Sequence, residues 1–222
     1  MLTDREIIST LEMLENENLD VRTVTLGINL FDCASHDLQK VKNKIFSRIA
    51  HLASNLVPVC DRIGEKYGIP VVNKRIAVSP IAIVGAALSS SQMVDIAKTL
   101  NAVAEEVNVD FIGGFSALVQ KGIARGDRAL IEAVPHALTA TERVCASINV
   151  ASTRAGINMD AVLLMGNTIK QAAKLTAEKT AWPAPNFAFL PTYPRTFLLW
   201  PGLTWESAKQ MPLSIWGSAG RG

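Results

Sequence analysis

The stretch VRTVTLGINL at residues 21–30 decides the fold class, together with the helical pattern that follows it. Every second residue from Val24 to Leu30 is apolar and alternates with Thr, Gly or Asn, which predicts a half-buried strand. From Leu38 to Ile63 the apolar residues recur at intervals of three and four, which predicts a long amphipathic helix. Pro58 is expected to kink or split this helix, because proline removes a backbone donor.

Strand and helix patterns continue to alternate as far as residue 179. Further strands are predicted at Val71–Val72, Ile76–Val78, Asp110–Val119 with an interruption at two glycines, and Val144–Val150. Further helices are predicted after the capping box Thr3-x-x-Glu6, from Ser79-Pro80 to Ala87, after the capping box Ser89-x-x-Gln92, and from Asn158 to Lys179. This interleaving predicts an α/β protein with at least partly parallel strands.

Composition narrows the class of protein. Of 222 residues, 49% are hydrophobic and the net charge is only +2, which excludes disorder for most of the chain. The 22 basic residues form no run and are balanced by 20 acidic ones, so no nucleic-acid partner is expected. The chain shows neither a signal peptide nor an apolar stretch long enough for a bilayer, so we expect a cytoplasmic protein without a membrane partner.

The composition changes abruptly near Thr180. All four tryptophans and six of the ten prolines lie beyond this residue, and no apolar periodicity continues there. We therefore predict two parts, residues 1–180 as a patterned α/β portion and residues 181–222 as a Trp- and Pro-rich tail. The tail is either an arm that docks on a partner or the product of a frameshift, and the second interpretation is favoured.

The strongest local candidate for a ligand site is DFIGGFS at residues 110–116. Gly113 and Gly114 directly follow a strand pattern, so a ligand could approach bare backbone N–H groups there. Asp110 and Ser116 would supply side-chain hydrogen-bonding groups to the same ligand. The alternative is a β-bulge that needs glycine for its geometry alone.

The polar sides of two predicted strands are a second clue. Thr23, Thr25 and Asn29 on one strand, and Cys145, Ser147 and Asn149 on the other, are short and uncharged. Such residues indicate either a semi-enclosed cavity, with Asn149 as a candidate ligand-binding residue, or a sheet face covered by a second subunit.

Other chemistry has little support in the sequence. Cys33, Cys60 and Cys145 are isolated and predicted to be reduced structural residues, so no metal site is expected and the cofactor is unknown. His136, after Pro135, is the one candidate general base, because it alone among the three histidines has a loop-like setting. The GNTIK stretch at residues 166–170 lacks the phosphate-loop spacing, and close helix packing is expected to explain its glycine.

Two stretches, DFIGGFSALVQKG at 110–122 and STRAGINMDAVLLMGNTIK at 152–170, carry a family resemblance. Over about residues 1–180 the chain resembles an uncharacterised bacterial and archaeal family usually labelled "PFL family protein", whose fold is similar to that of pyruvate formate-lyase. The resemblance implies part of a PFL-like α/β barrel and homodimers, but no established reaction. The family's proteins are about twice this length, which implies that this chain is truncated and covers the N-terminal half.

Two functions stay open at this point. The full-length form is either a small-molecule-binding protein or enzyme, with its site around the two glycines and the polar strand sides, or a regulatory or structural homo-oligomeric partner protein. Glycyl-radical activity is not supported, because the cysteines are isolated and no C-terminal glycine loop is present. The truncated chain itself is expected to be inactive.

Overall fold

The computed structural model of the chain describes residue 8 and the ranges 21–176, 187–190 and 215–218. It confirms the α/β class, with strands and helices that alternate along the chain. The strands are β1 (Val21–Ile28), β2 (Val71–Val78), β3 (Phe111–Leu118), β4 (Val144–Asn149), β5 (Ala151–Ser152), β6 (Gly156–Ile157), β7 (Phe187–Leu190) and β8 (Ile215–Ser218). The helices are α1 (Leu38–Ala53), α2 (Leu56–Tyr67), α3 (Ile81–Val84), α4 (Ser90–Glu106), α5 (Arg125–Thr139) and α6 (Met159–Thr176).

The main sheet has the strand order β7-β4-β3-β2-β1-β8. Strands β1 to β4 are parallel and lie side by side in chain order, β7 continues the sheet in parallel beside β4, and β8 pairs antiparallel with β1. Strands β5 and β6 form a separate antiparallel pair. The described residues thus show a mixed α/β fold with a parallel four-strand centre, and closure into a barrel stays a prediction.

The helices form one layer on one face of this sheet. Helix α4 packs against α1, α5 against α4 and α6 against α5. All six helices contribute to a single apolar core together with alternate residues of the strands. The strand residues in this core include Leu26, Ile28, Ile76, Val78, Ile112, Phe115, Val144, Ala146 and Ile148.

The opposite face of strands β1 to β4 is made by the residues between those core positions, and we call it the polar face. In-register neighbours across the strands show which side chains share it, because parallel partners point the same way. It contains Thr23, Thr25, Asn73, Arg75, Ala77, Phe111, Gly113, Ser116, Leu118, Cys145, Ser147 and Asn149. Ala77 and Cys145 are buried but lie outside the apolar core, in agreement with this assignment.

Several predicted elements are confirmed, with physical causes visible in the structure. The helical pattern that spans Pro58 is split into α1 and α2, and Pro58 lies in the first turn of α2, where its missing N–H has no intrahelical partner to lose. Helix α4 begins at the expected capping box, in which the Ser89 hydroxyl accepts from Gln92 N–H and Gln92 Oε1 accepts from Ser89 N–H. The last predicted helix is present as α6 up to Thr176.

Other predictions were wrong in extent. Val71–Val78 is one strand, because β1 pairs with it through its polar centre and β3 pairs with it from Arg75 to Ala77. The helix expected as far as Ala87 is the single turn α3. Helix α5 has no counterpart among the predicted helices, and Pro135, which suggests a loop in the sequence, lies inside it.

The predicted tail and the predicted N-terminal helix are described only in small part. Of residues 181–222, the strands β7 and β8 are described, so two short segments of the tail pair with the sheet. The boundary at residue 180 and the frameshift stay predictions. The capping box Thr3-x-x-Glu6 lies outside the described residues. None of the described helices combines the length and apolar content needed to cross a membrane.

Candidate functional site

Three buried polar side chains meet where strands β3 and β4 end. Ser116 on β3 is the in-register neighbour of Ser147 on β4, and Asn149 lies two residues further on, beside Leu118. Neighbouring parallel strands are roughly 5 Å apart, so the two hydroxyl groups are adjacent. We call Ser116, Ser147 and Asn149 the carboxyl-end cluster. Ligand sites in parallel α/β sheets lie at this end of the strands.

A β-bulge places Ser116 in this cluster. The register between β3 and β4 shifts between Gly113 and Phe115, with Gly114 as the extra residue at φ +113°. Ile112 faces the core, so regular alternation would turn Phe115 to the polar face. The bulge returns Phe115 to the core and puts Ser116 on the polar face. The bulge alternative therefore accounts for Gly114.

The hydrogen bonds that these side chains make within the protein are long. The Ser116 hydroxyl donates to the Gly114 carbonyl oxygen at 3.3 Å, and Asn149 Oδ1 accepts from Ala151 N–H at 3.4 Å. Within the ranges that the structure describes, the Ser147 hydroxyl has no hydrogen-bond partner. Ordinary bonds of these kinds are about 2.7 to 3.0 Å long, so the cluster keeps hydrogen-bonding capacity for another molecule.

The loop that follows β3 adds a fourth polar group at the same end of the sheet. Gln120 Oε1 is buried and has no hydrogen-bond partner among the described residues, although a buried amide oxygen without a partner costs about 1 to 3 kcal/mol. The loop is fixed nearby, because Asn158 Nδ2 donates to the Val119 carbonyl oxygen at 2.7 Å. Sequence analysis missed Gln120, and its only signal was a polar residue two positions after a buried strand.

The carboxyl ends of β1 and β2 are joined by a hydrogen-bonded pair. Asn29 Oδ1 accepts from Phe31 N–H at 2.9 Å and from the Ser79 hydroxyl at 3.3 Å. The Ser79 oxygen in turn accepts from Leu30 N–H at 3.1 Å. Asn29 and Ser79 therefore hold the turn after β1 in place. The sequence pattern indicates only the start of a helix at Ser79, so this role is visible in the structure alone.

Among the described residues of the polar face, Arg75 is the one cation, and it lies nearer the amino ends of the strands than the carboxyl-end cluster. The guanidinium carbon of Arg75 lies 5.6 Å from the ring centre of Phe111, a cation–π geometry. Burial lowers the pKa of Arg75, and burial raises the pKa of Cys145 to about 12, with Arg75 acting in the opposite direction on the thiol. Gly113 lies in register between Ala77 and Cys145 and brings no side chain between the neighbouring strands.

The structure separates one candidate from the others. Asp110 precedes β3 at the amino end of the sheet, where its Oδ2 accepts from Lys74 N–H at 2.6 Å and its N–H donates to the Lys74 carbonyl oxygen at 2.9 Å. At about 3.3 Å per residue, Asp110 is roughly 20 Å from Ser116. Gly113, Gly114, Ser116 and Asn149 thus share the polar face or its bulge, whereas Asp110 joins β2 to β3 at the opposite end.

Two further expectations about single residues were wrong. His136 does not lie in a loop but in the last turn of α5, exposed on its outer side. Gly166 is exposed, and a Cβ atom added there would meet nothing within 4 Å, so it is not explained by close packing against any of the described helices. The stretch from Gly166 to Lys170 is continuous helix within α6 and not a phosphate-binding loop.

The cysteines are free and buried. Burial raises the pKa values of Cys33 and Cys60 as well as that of Cys145, so all three thiols are protonated at neutral pH. Among the described residues, no group of three or more His, Cys, Asp or Glu side chains could hold a metal ion.

These features define a mixed α/β protein with one helix layer and a polar opposite face that ends in a cluster of uncharged hydrogen-bonding groups. The chain belongs to the family described as "Uncharacterised ACR (DUF711)", whose model matches residues 12–207. This confirms membership of an uncharacterised family, and the match extends beyond residue 180. The family description names no biochemical activity, as expected from the resemblance.

The chain is similar to curated proteins that are each named "UPF0210 protein". It is 65% identical over 178 residues to one from Syntrophobacter fumaroxidans, 62% over 179 residues to one from Desulfovibrio desulfuricans, and 53% over 173 residues to one from Listeria monocytogenes. These matches cover 80%, 81% and 78% of this chain but only 39%, 39% and 38% of the relatives. The PFL-like fold, the N-terminal-half assignment and truncation stay predictions.

Proposed function

We propose that the full-length protein binds a small polar molecule at the carboxyl-end cluster. The observation that carries this proposal is the burial of Ser116, Ser147 and Asn149 on two adjacent parallel strands, outside the apolar core. Buried polar groups are normally satisfied by strong hydrogen bonds, and those of this cluster are long. A bound molecule with its own donors and acceptors would satisfy them.

The cluster favours an uncharged part of the ligand. Its side chains are two hydroxyl groups and one carboxamide, which both donate and accept hydrogen bonds. Gln120 Oε1, at the same end of the sheet, adds an acceptor. Hydroxyl and amide groups of a small metabolite fit this set, because each can donate to one protein group and accept from another.

The first experiment is a thermal-shift screen on the Syntrophobacter fumaroxidans relative with a library of hydroxylated and amide-bearing metabolites. We expect at least one compound to raise its melting temperature, because a ligand that binds only the folded state stabilises it. If no compound in a broad library does so, the proposal is wrong.

A compound found in this way is then tested on the present chain by ligand-observed NMR. We expect Ser147→Ala and Asn149→Leu to weaken binding roughly tenfold each, the value of one lost hydrogen bond. Thr99→Val is the matched control, because the Thr99 hydroxyl is bonded to the Asp95 carbonyl oxygen inside α4, in the helix layer. Equal affinity in all three variants would contradict the assignment of the site.

The proposal concerns the full-length protein, because the chain spans only 39% of the length of the relatives from Syntrophobacter and Desulfovibrio. The homodimer implied by the family resemblance and a cytoplasmic location belong to the same proposal. We expect the 222-residue chain to bind the compound more weakly than the longer relative.

A further inference from the structure

Helix α6 carries an apolar stripe on a side that does not face the core. Its buried side is formed by Ala161 and Met165, which belong to the apolar core. At 100° per residue another set of α6 residues falls on a neighbouring side of the helix. We call this set the α6 stripe, and it consists of Met159, Leu163, Gly166 and Ile169, while Val162 beside it is partly buried against the core.

The side chains of the α6 stripe are unusually exposed to solvent for apolar residues. The exposed fraction is 74% for Leu163, 65% for Met159 and 43% for Ile169, and Ile157 just before the helix is 61% exposed. Single exposed apolar residues are ordinary, but a contiguous set on one helix side marks a surface that contacts another polypeptide. A Cβ atom added at Gly166 would meet nothing within 4 Å, so this position leaves room for close approach of a second helix.

The order of the helix layer shows which neighbour this surface fits. Along the helix layer, α4 packs on α1, α5 packs on α4, and α6 packs on α5. The sheet does not end at β4, because β7 pairs in parallel beside it. In the full-length protein, a crossover helix after a strand at this position, in the same right-handed series, would therefore lie next to α6.

The relatives have the chain needed to supply such a helix. The matched segment is 39% of the Syntrophobacter fumaroxidans relative, so more than half of that protein lies outside it. We infer that the α6 stripe is the docking surface for an amphipathic helix of this additional chain, and that the helix layer continues across α6 in the full-length protein. This inference does not depend on the proposed ligand.

The test uses a full-length chimera, in which residues 1–176 of this chain replace the matched segment of the Syntrophobacter fumaroxidans relative. Leu163→Glu is made both in the chimera and in the 222-residue chain. Gln171→Glu is the matched control, because Gln171 is exposed on α6 outside the stripe. If Leu163→Glu prevents folding, Leu163→Ala replaces it in the test, because it removes the contact of Leu163 with the docking helix without adding a charge.

We expect the wild-type chimera to melt cooperatively and Leu163→Glu to lower its melting temperature by about 5 °C or more. The same change should shift the 222-residue chain by about 1 °C or less, since the side chain is exposed there. A chimera without a cooperative transition, or one that tolerates Leu163→Glu as well as Gln171→Glu, would overturn the inference. So would a dimer of the 222-residue chain that Leu163→Glu converts to monomers, because the stripe would then contact a second copy.

Discussion

Gly114 lies directly against Val78 on the neighbouring strand. A Cβ atom added at Gly114 would stand 2.5 Å from both the Cγ2 atom and the carbonyl oxygen of Val78. The φ angle of +113° independently disfavours any side chain at this position. The bulge that orients Ser116 therefore requires glycine for two separate reasons.

We expect Gly114→Ala to lower the free energy of unfolding by roughly 3 kcal/mol, from backbone strain together with overpacking. Gly68→Ala is the matched control, because Gly68 also has a positive φ but a Cβ there would meet nothing within 4 Å. We expect that control to cost only about 1 kcal/mol. Urea denaturation of both variants measures the difference, and equal losses would show that the contact with Val78 contributes nothing.

The side chain of Asn101 connects helix α4 to the start of strand β4. Asn101 Oδ1 accepts from Glu142 N–H at 3.0 Å and from Arg143 N–H at 2.9 Å, while its Nδ2 donates to Glu105 Oε1. One oxygen thus accepts from two successive backbone donors that lie 41 and 42 residues away in the chain.

We expect Asn101→Ala to destabilise the protein by about 1 to 2 kcal/mol, because both backbone donors lose this acceptor. Asn101→Asp keeps the acceptor oxygen and should recover most of the loss. Glu105→Ala removes only the partner of Nδ2 and should change stability by less than about 0.5 kcal/mol. Chemical denaturation checks all three variants, and an Asn101→Asp loss as large as that of Asn101→Ala would refute the role of the oxygen.

Apolar periodicity was sufficient to find most of the fold. The alternation in β1 and β4 and the capping box of α4 are local signals, and each is present where expected. Helix α5 was missed although Leu130, Ile131, Val134 and Leu138 have helical spacing. Burial of this apolar side outweighs the hydrogen bond that Pro135 removes, and such a balance depends on tertiary packing.

The candidate site could be predicted only in part. The alternating polar residues of the strands are visible in the sequence. Which face of the sheet carries the Ser116 side chain, however, depends on a bulge in β3, and this bulge is seen only in the pairing of β3 with β4. The local signal for Gln120 is weak, because a polar residue two positions after a strand does not by itself indicate that its side-chain oxygen is buried. Proximity in sequence favours placing Asp110 beside Ser116, whereas an extended strand puts its two ends far apart.

The three thiols should be unreactive in the folded protein. With the pKa of Cys145 raised from 9.0 to about 12, its thiolate fraction at pH 8 is roughly a thousandfold smaller than that of an ordinary thiol. Alkylation with iodoacetamide, followed by mass spectrometry of each cysteine peptide, should label none of the three within minutes in buffer and all three in guanidinium chloride. Rapid labelling of Cys145 in buffer would show that it is accessible and activated.

Asp127, in the first turn of α5, gives stability a pH dependence of unusual sign. Burial raises the pKa of this carboxyl group, and the hydrogen bond that its Oδ2 accepts from Ala124 N–H at 2.9 Å only partly opposes that effect. A raised pKa in the folded state means that folding favours the protonated form. The contribution of Asp127 to stability is therefore greatest below its ordinary pKa of 3.8 and is lost as the pH rises through the folded value.

Asp127→Asn should reveal this loss, because asparagine stays uncharged and its Oδ1 can accept the same N–H. We expect the stability of the variant relative to the wild type to increase as the pH is raised from 3 to 7, with most of the change near and just above the ordinary pKa of an aspartate. Urea denaturation at intervals of half a pH unit measures this difference. If the relative stability of Asp127→Asn falls with rising pH, the carboxylate is stabilised by folding and the direction argued from its burial is wrong.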